Sequence, residues 1–347
     1  MTPAIGKPRN RNGMTELLIL LFLVLIAFGS RRALLKQGSD GMKQTDSLRN
    51  MVRILYGSMW IPMLLQLLTW LPVWMGAVFY GKSITDGRTL AEHYGLLAGK
   101  YAVVCGFAIL LNYIGLISVN ARTVSSLRKG EQRYAKLSFQ SGFHIGMVQS
   151  LFFAVFTAVM AQQLAGSFCQ SGAEVVTRML RYGSVMIIWA VLGLYFAGFL
   201  MLTGKKYHLL GVLGAANILF IILVSILLNT SEAGIMSIIY ASLVSGGVFC
   251  LLSGFLCYRI LHTEIEWIPV IAVPVGGACI FGLVCLLLGK VLTPHLGNTV
   301  TAIVCLVIGL VVYWVVLLLF RSIREQELKC IPGARLIRAM GQMLRVF

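Results

Sequence analysis

The sequence predicts an all-α, polytopic membrane helix bundle of about nine transmembrane helices. Three observations predict it. First, 58% of the 347 residues are hydrophobic and 12% charged, and a mean hydropathy of +0.86 implies more apolar surface than one water-soluble core can hide. Second, the apolar residues fall in runs close to the ~20 residues that a helix needs to cross a hydrocarbon core, where backbone N–H and C=O groups must pair within the segment. Third, the 29 Lys and Arg residues, set against 12 acids, cluster in the short stretches between those runs. The formal charge of +17 therefore reads as topology and lipid contact, not as nucleic-acid binding.

The expected spans lie near residues 15–30, 54–79, 96–119, 140–164, 182–202, 208–229, 234–258, 267–289 and 298–320. They divide the chain into an N-terminal tail, first span and basic linker (1–53), a six-helix bundle (54–262), two terminal spans (263–320) and a basic tail (321–347). Twenty bases fall on one side of these spans and eight on the other. Bases in short loops are retained in the cytoplasm, so the C-terminus of this multi-pass membrane protein is expected there. Nine spans then leave the N-terminus outside, against the preference of Lys7, Arg9 and Arg11. A cleaved signal peptide at 1–30 would remove that conflict but expose the six-base loop 31–53. The other resolution places further helices upstream.

Small residues at helical spacing, Gly95 with Gly99, Gly142 with Gly146, and the series Ser242, Gly246, Cys250 and Gly254, predict close helix contacts. Pro62 and Pro72 in the second span, and Pro269 and Pro274 in the eighth, predict bends. The cysteines inside apolar runs and the five scattered histidines read as packing or interfacial residues, with no metal-ligand spacing and no cofactor motif. No nucleophile elbow, phosphate loop or paired catalytic acids occur, so an enzyme is not expected.

Lys100 is the exception to the pattern, because it lies about one turn inside the outer end of the third span. It is either a snorkelling lysine or a cation facing an internal cavity, where it would attract a phosphate or pyrophosphate. Asn112 and Asn217, both in mid-span, could line that cavity or bridge helices. Arg128, Lys129, Arg133 and Lys136 form a basic cytoplasmic rim that retains topology and could concentrate anionic lipid.

Four stretches in order resemble one family. They are Tyr94 to Tyr101 (YGLLAGKY) with the LRKGE sequence ending at Glu131, Arg53-Ile54-Leu55 with Ile61-Pro62, Met201 to Lys206 (MLTGKK), and Arg324 to Pro332 (REQELKCIP). Together they are similar to the multidrug/oligosaccharidyl-lipid/polysaccharide (MOP) flippases, above all to the polysaccharide-export, SpoVB and MurJ-like branches. The resemblance covers roughly residues 45–340 and makes the nine spans equivalent to helices six to fourteen of an N-terminally shortened member.

It implies a flippase component that moves a lipid-linked oligosaccharide, such as a polyprenyl-pyrophosphate sugar, with Lys100 on the pyrophosphate. The spans at 267–289 and 298–320 would form a groove for the polyprenyl tail. The proline that usually follows this cation in the family is replaced here by Val103, Val104 and Cys105, and most of the first lobe is missing. A second subunit or second copy would have to complete a two-body transporter. The alternatives are a non-transporting membrane scaffold that binds lipid-linked intermediates, and a drug or ion antiporter fragment. The absence of a mid-span carboxylate argues against the second.

Overall fold

The computed structural model describes residues 64–81, 87–169, 172–230, 234–262, 268–320 and Ser322. The expected first span, the linker that follows it, Pro62 and nearly all of the basic tail lie outside these residues. The chain separates into units 1–60 and 61–347, and every described residue belongs to the second. Those residues are helical, with no strand among them. Seven helices are long and apolar enough to cross a membrane, so the protein is an all-α polytopic bundle.

In order, the helices are α1 (Leu64–Gly81), α2 (Gly87–Leu96), a π-helical turn (Leu97–Tyr101) and α3 (Ala102–Arg128). Then follow α4 (Gln132–Val159), α5 (Ala161–Phe168), α6 (Ala173–Gly183) and α7 (Val185–Leu202). The last are α8 (Lys206–Thr230), α9 (Met236–Leu261), a second π-helical turn (Ile268–Ala272) and α10 (Val273–Leu319).

α10 has 47 residues, about 70 Å of helix at 1.5 Å per residue, more than twice a ~30 Å hydrocarbon core. It is folded in two at Gly297, where φ is 74° and ψ 171°. Across the fold Gly277 faces Tyr313 and Gly309 faces Phe281, while the Cys285 thiol reaches the Cys305 carbonyl at 3.6 Å. Each pair is symmetric about residue 295, the signature of an antiparallel hairpin whose arms, 273–296 and 298–319, each cross once. The expected eighth and ninth spans are these arms. Pro274 opens the first arm at its N1/N2 position, where its missing N–H costs nothing, and the reversal falls at Gly297 instead.

α4 is the hub. On one side α7 packs against it through Phe139, Phe143, Tyr195, Phe196 and Phe199, with the Tyr195 hydroxyl donating to the Phe139 carbonyl at 2.9 Å. On the other side the hairpin packs through Phe152, Phe281 and Tyr313, with the Tyr313 hydroxyl donating to the Val148 carbonyl at 2.9 Å. Gly142 and Gly146 make room, the first for Tyr195 and Val119, the second for Leu116 and Leu192. Gly246 and Gly254 likewise seat Met186 and Phe196.

Gly95 and Gly99 do not serve this purpose, since a Cβ at either would meet nothing. They lie on the exposed side of the chain around the first π turn. The outward rows, such as Leu67, Trp70 and Trp74 on α1 and Phe107, Leu110 and Ile114 on α3, are the surface a bilayer would cover.

Candidate functional site

Lys100 sits in the π turn, where the Ala102 N–H bonds to the Leu97 carbonyl five residues back. The wider turn points two successive side chains at the ends of two other helices. The Lys100 ammonium donates to the Phe168 carbonyl at 2.9 Å, and the Tyr101 hydroxyl donates to the Gly183 carbonyl at 3.0 Å. These carbonyls close α5 and α6, where a helix leaves acceptors without partners and a cation is favoured. Lys100 is half-buried, and its ammonium keeps two further N–H donors beyond the bond to Phe168.

α5 also carries, from its first turn to its last, a polar seam that runs to the hairpin bend. Gln163 Nε2 donates to Thr293 Oγ1 at 3.4 Å, and Thr299 Oγ1 donates to Ser167 Oγ at 3.0 Å. Asn298 lies directly over Gly166, where a Cβ would stand 2.5 Å from its amide nitrogen. Gln163 Oε1 and Thr301 Oγ1 are buried without a hydrogen-bond partner. The hairpin register, continued by one turn, brings Thr301 opposite Gly289, and Gly289 lies against Gln163. The sequence reading passed over Tyr101, Gln163, Ser167 and Asn298 because single neutral polar residues near span ends carry no spacing signal.

The two amides expected to share a cavity with Lys100 are spent elsewhere. Asn112 donates to the Ala108 carbonyl of its own helix at 2.6 Å, and Asn217 donates to the Leu68 carbonyl of α1 at 2.8 Å. Both are buried. Lys100, Asn112 and Asn217 thus bond to three different elements, and these bonds do not gather them into one site. The interhelical role weighed for Asn217 is the one the geometry supplies.

The expected tail groove does not lie between the hairpin arms. The Phe281 ring occupies the space over Gly309, and Tyr313 covers Gly277, so the arms are closed on each other where 277–285 faces 305–313.

The basic rim lies on the opposite end of the bundle from Lys100. Arg133 and Lys136 belong to the first turns of α4, not to a loop. Their polar stretch hides a helix start that the apolar run alone places at residue 140. Arg128 donates through Nη2 to the Leu202 carbonyl, the last residue of α7, at 3.2 Å. This bond draws the α3–α4 turn onto the α7–α8 turn. The sequence marks His144 as a packing or interfacial residue; it is buried in α4, and its Nε2 lies 3.1 Å from Ser322 Oγ.

No family model, curated protein or solved structure matches the chain.

Proposed function

We propose that the chain is a membrane flippase component that handles a lipid-linked oligosaccharide at the bacterial plasma membrane, with its C-terminus in the cytoplasm. One observation carries the reading. A cation with spare donors and a seam of amides and hydroxyls both lie along the short helix α5, Lys100 on the Phe168 carbonyl at its C-terminal end and the seam through Gln163 in its first turn and Ser167 and Asn298 farther along. A polyprenyl-pyrophosphate sugar presents the complementary chemistry: an anion for the ammonium, hydroxyls for the amides and an apolar tail for the lipid-facing helices. Lys100 would hold the pyrophosphate, and the unpartnered Gln163 Oε1 would accept from a sugar hydroxyl.

The second reading is a scaffold that binds such intermediates without moving them. The structural use of Asn112 and Asn217 and the closure of the hairpin arms favour it, because they leave less of the interior free to line a passage.

Native mass spectrometry of the full chain in nanodiscs, titrated with a polyprenyl-pyrophosphate disaccharide, tests both. Hydrogen bonds to a charged group contribute about 1.5–3 kcal/mol, so Lys100→Ala should weaken binding roughly 10- to 100-fold, with Lys100→Arg between it and wild type. Equal binding by wild type and Lys100→Ala would end both readings. Binding through Lys100 without translocation in proteoliposomes would leave the scaffold.

A further inference from the structure

We infer that the face bearing Arg128, Lys129, Arg133, Lys136, Lys205 and Lys206 is a docking surface for the headgroups of anionic phospholipids. The inference does not depend on the transport reading, since it concerns the opposite end of the bundle from Lys100.

Three features carry it. The first is an asymmetry of neutralisation. At the Lys100 end, Arg88 pairs with Glu92 and Arg178 with Glu174, each one helical turn away. At the rim the described residues include one carboxylate, Glu131, which stands at the N-terminus of α4, where a helix favours a negative charge. No ion pair is formed there among the described residues. A positive-inside bias accounts for bases in the rim, but it does not require that, among the described residues, none of them is ion-paired while Arg88 and Arg178 at the other end are.

The second feature is preorganisation. Both turns of the rim close in the same way. Gly130 and Gly204 take left-handed φ values of 80° and 78°. The next N–H reaches back five residues in each, Glu131 to the Ser126 carbonyl and Lys205 to the Leu200 carbonyl, at 3.0 and 2.9 Å. These are Schellman closures, which suit glycine and fix the direction in which the chain leaves the helix. The Arg128 bond to Leu202 then ties one turn to the other. Arg128, Lys129, Lys205 and Lys206 therefore sit at two joined turns, with Arg133 and Lys136 on the helix that leaves one of them, and less chain entropy is lost when they gather around an anion.

The third is depth. The 28 residue-to-residue steps from Lys100 to Arg128 on one near-continuous helix correspond to about 42 Å, the thickness of a bilayer with its headgroup layers. With Lys100 at one interface, the rim lies at the other, level with lipid phosphates. Charge complementarity and depth together select a lipid headgroup over a soluble anion.

The test uses the full-length chain in mixed micelles, with bound lipid counted by native mass spectrometry during titration with phosphatidylglycerol, phosphatidylcholine or inorganic phosphate. Wild type should bind phosphatidylglycerol at least tenfold more tightly than phosphatidylcholine, and the preference should fall as added salt shortens the Debye length. The pairs Lys205→Ala with Lys206→Ala, and Arg133→Ala with Lys136→Ala, should each lose tenfold or more, from roughly fivefold per base. Arg178→Ala with Arg181→Ala, at the other end, should lose less than twofold. Lys205→Gln with Lys206→Gln gives the same reading should the alanine pair express poorly. Equal affinity for the two lipids, equal loss in the control pair, or competition by inorganic phosphate at matched concentration would overturn the proposal.

Discussion

Gly309 offers a sharp test of the hairpin. A Cβ built there would overlap the Phe281 ring and stand 3.1 Å from Cys285 Sγ. The ring has no space to retreat, because Phe281 is fully buried and stacks on Phe152 with centroids 4.7 Å apart. Phe152 in turn lies against Phe153, Phe156 and Tyr313. Overpacking of this kind costs about 1–3 kcal/mol, so Gly309→Ala should destabilise by about 2 kcal/mol in equilibrium unfolding from mixed micelles. Phe281→Leu alone should also destabilise, by leaving a gap above the glycine. Combined with Gly309→Ala it should recover at least about 1 kcal/mol of the summed loss, since the methyl enters the space the ring has left. If Gly309→Ala stays within about 0.5 kcal/mol of wild type, or if the two substitutions simply add, the arms do not meet as described. The fold of α10 at Gly297 would then need revision.

Two other substitutions read single bonds. Asn217→Leu removes the tie from α8 to the Leu68 carbonyl. It should cost about 0.6–2 kcal/mol and raise the labelling rate of a cysteine introduced on the buried face of α1. Arg128→Ala should lower stability by about 0.5–1.5 kcal/mol through the lost bond to Leu202. Arg128→Lys should recover part of that loss, whereas Lys129→Ala, at an exposed side chain with no acceptor among the described residues, should leave stability within about 0.5 kcal/mol of wild type.

The spans were legible because a bilayer imposes a length and a composition that a single sequence displays openly. What escaped was set by hydrogen bonds that no run of residues encodes. The start of α4 at Gln132 lay hidden in a polar stretch, because a helix that leaves the hydrocarbon need not remain apolar. The π turn at Leu97–Tyr101 is set by backbone bonds that reach five residues back, and from it Lys100 reaches the end of α5. Asn112 showed as a mid-span amide, but its partner is the carbonyl one turn back in its own helix, an option open to any helical amide and invisible in spacing. The small-residue pairs illustrate the same limit. Gly142 and Gly146 meet neighbours while Gly95 and Gly99 meet none, and identical spacing cannot distinguish them.

If the chain moves a substrate, some seam in it must open, and the bonding pattern indicates which. α4 is held by Tyr195 from α7, Tyr313 from the hairpin and Ser322 beyond it, each joined to a buried aromatic cluster or a buried histidine, so separating α4 from either partner would strand several polar groups at once. The α5–bend seam rests on two neutral side-chain bonds, one of them 3.4 Å long, and includes an acceptor with no partner to lose. Opening it would break fewer polar bonds than separating α4 from either partner. A Cβ at Gly166 would lie 3.9 Å from the Asn298 Cβ, inside the range a disulfide spans. Gly166→Cys with Asn298→Cys, in a background where Cys169 is serine, should therefore cross-link on oxidation. The linked protein should lose transport of the lipid-linked sugar in proteoliposomes, and a reductant should restore it. A cross-link between Trp189→Cys and Gly246→Cys, whose Cβ separation would be 3.8 Å, should leave transport intact, because α7 and α9 belong to the static packing. Unchanged transport with the α5–bend link fully formed would place the moving seam elsewhere, and the polar groups along it would then be structural.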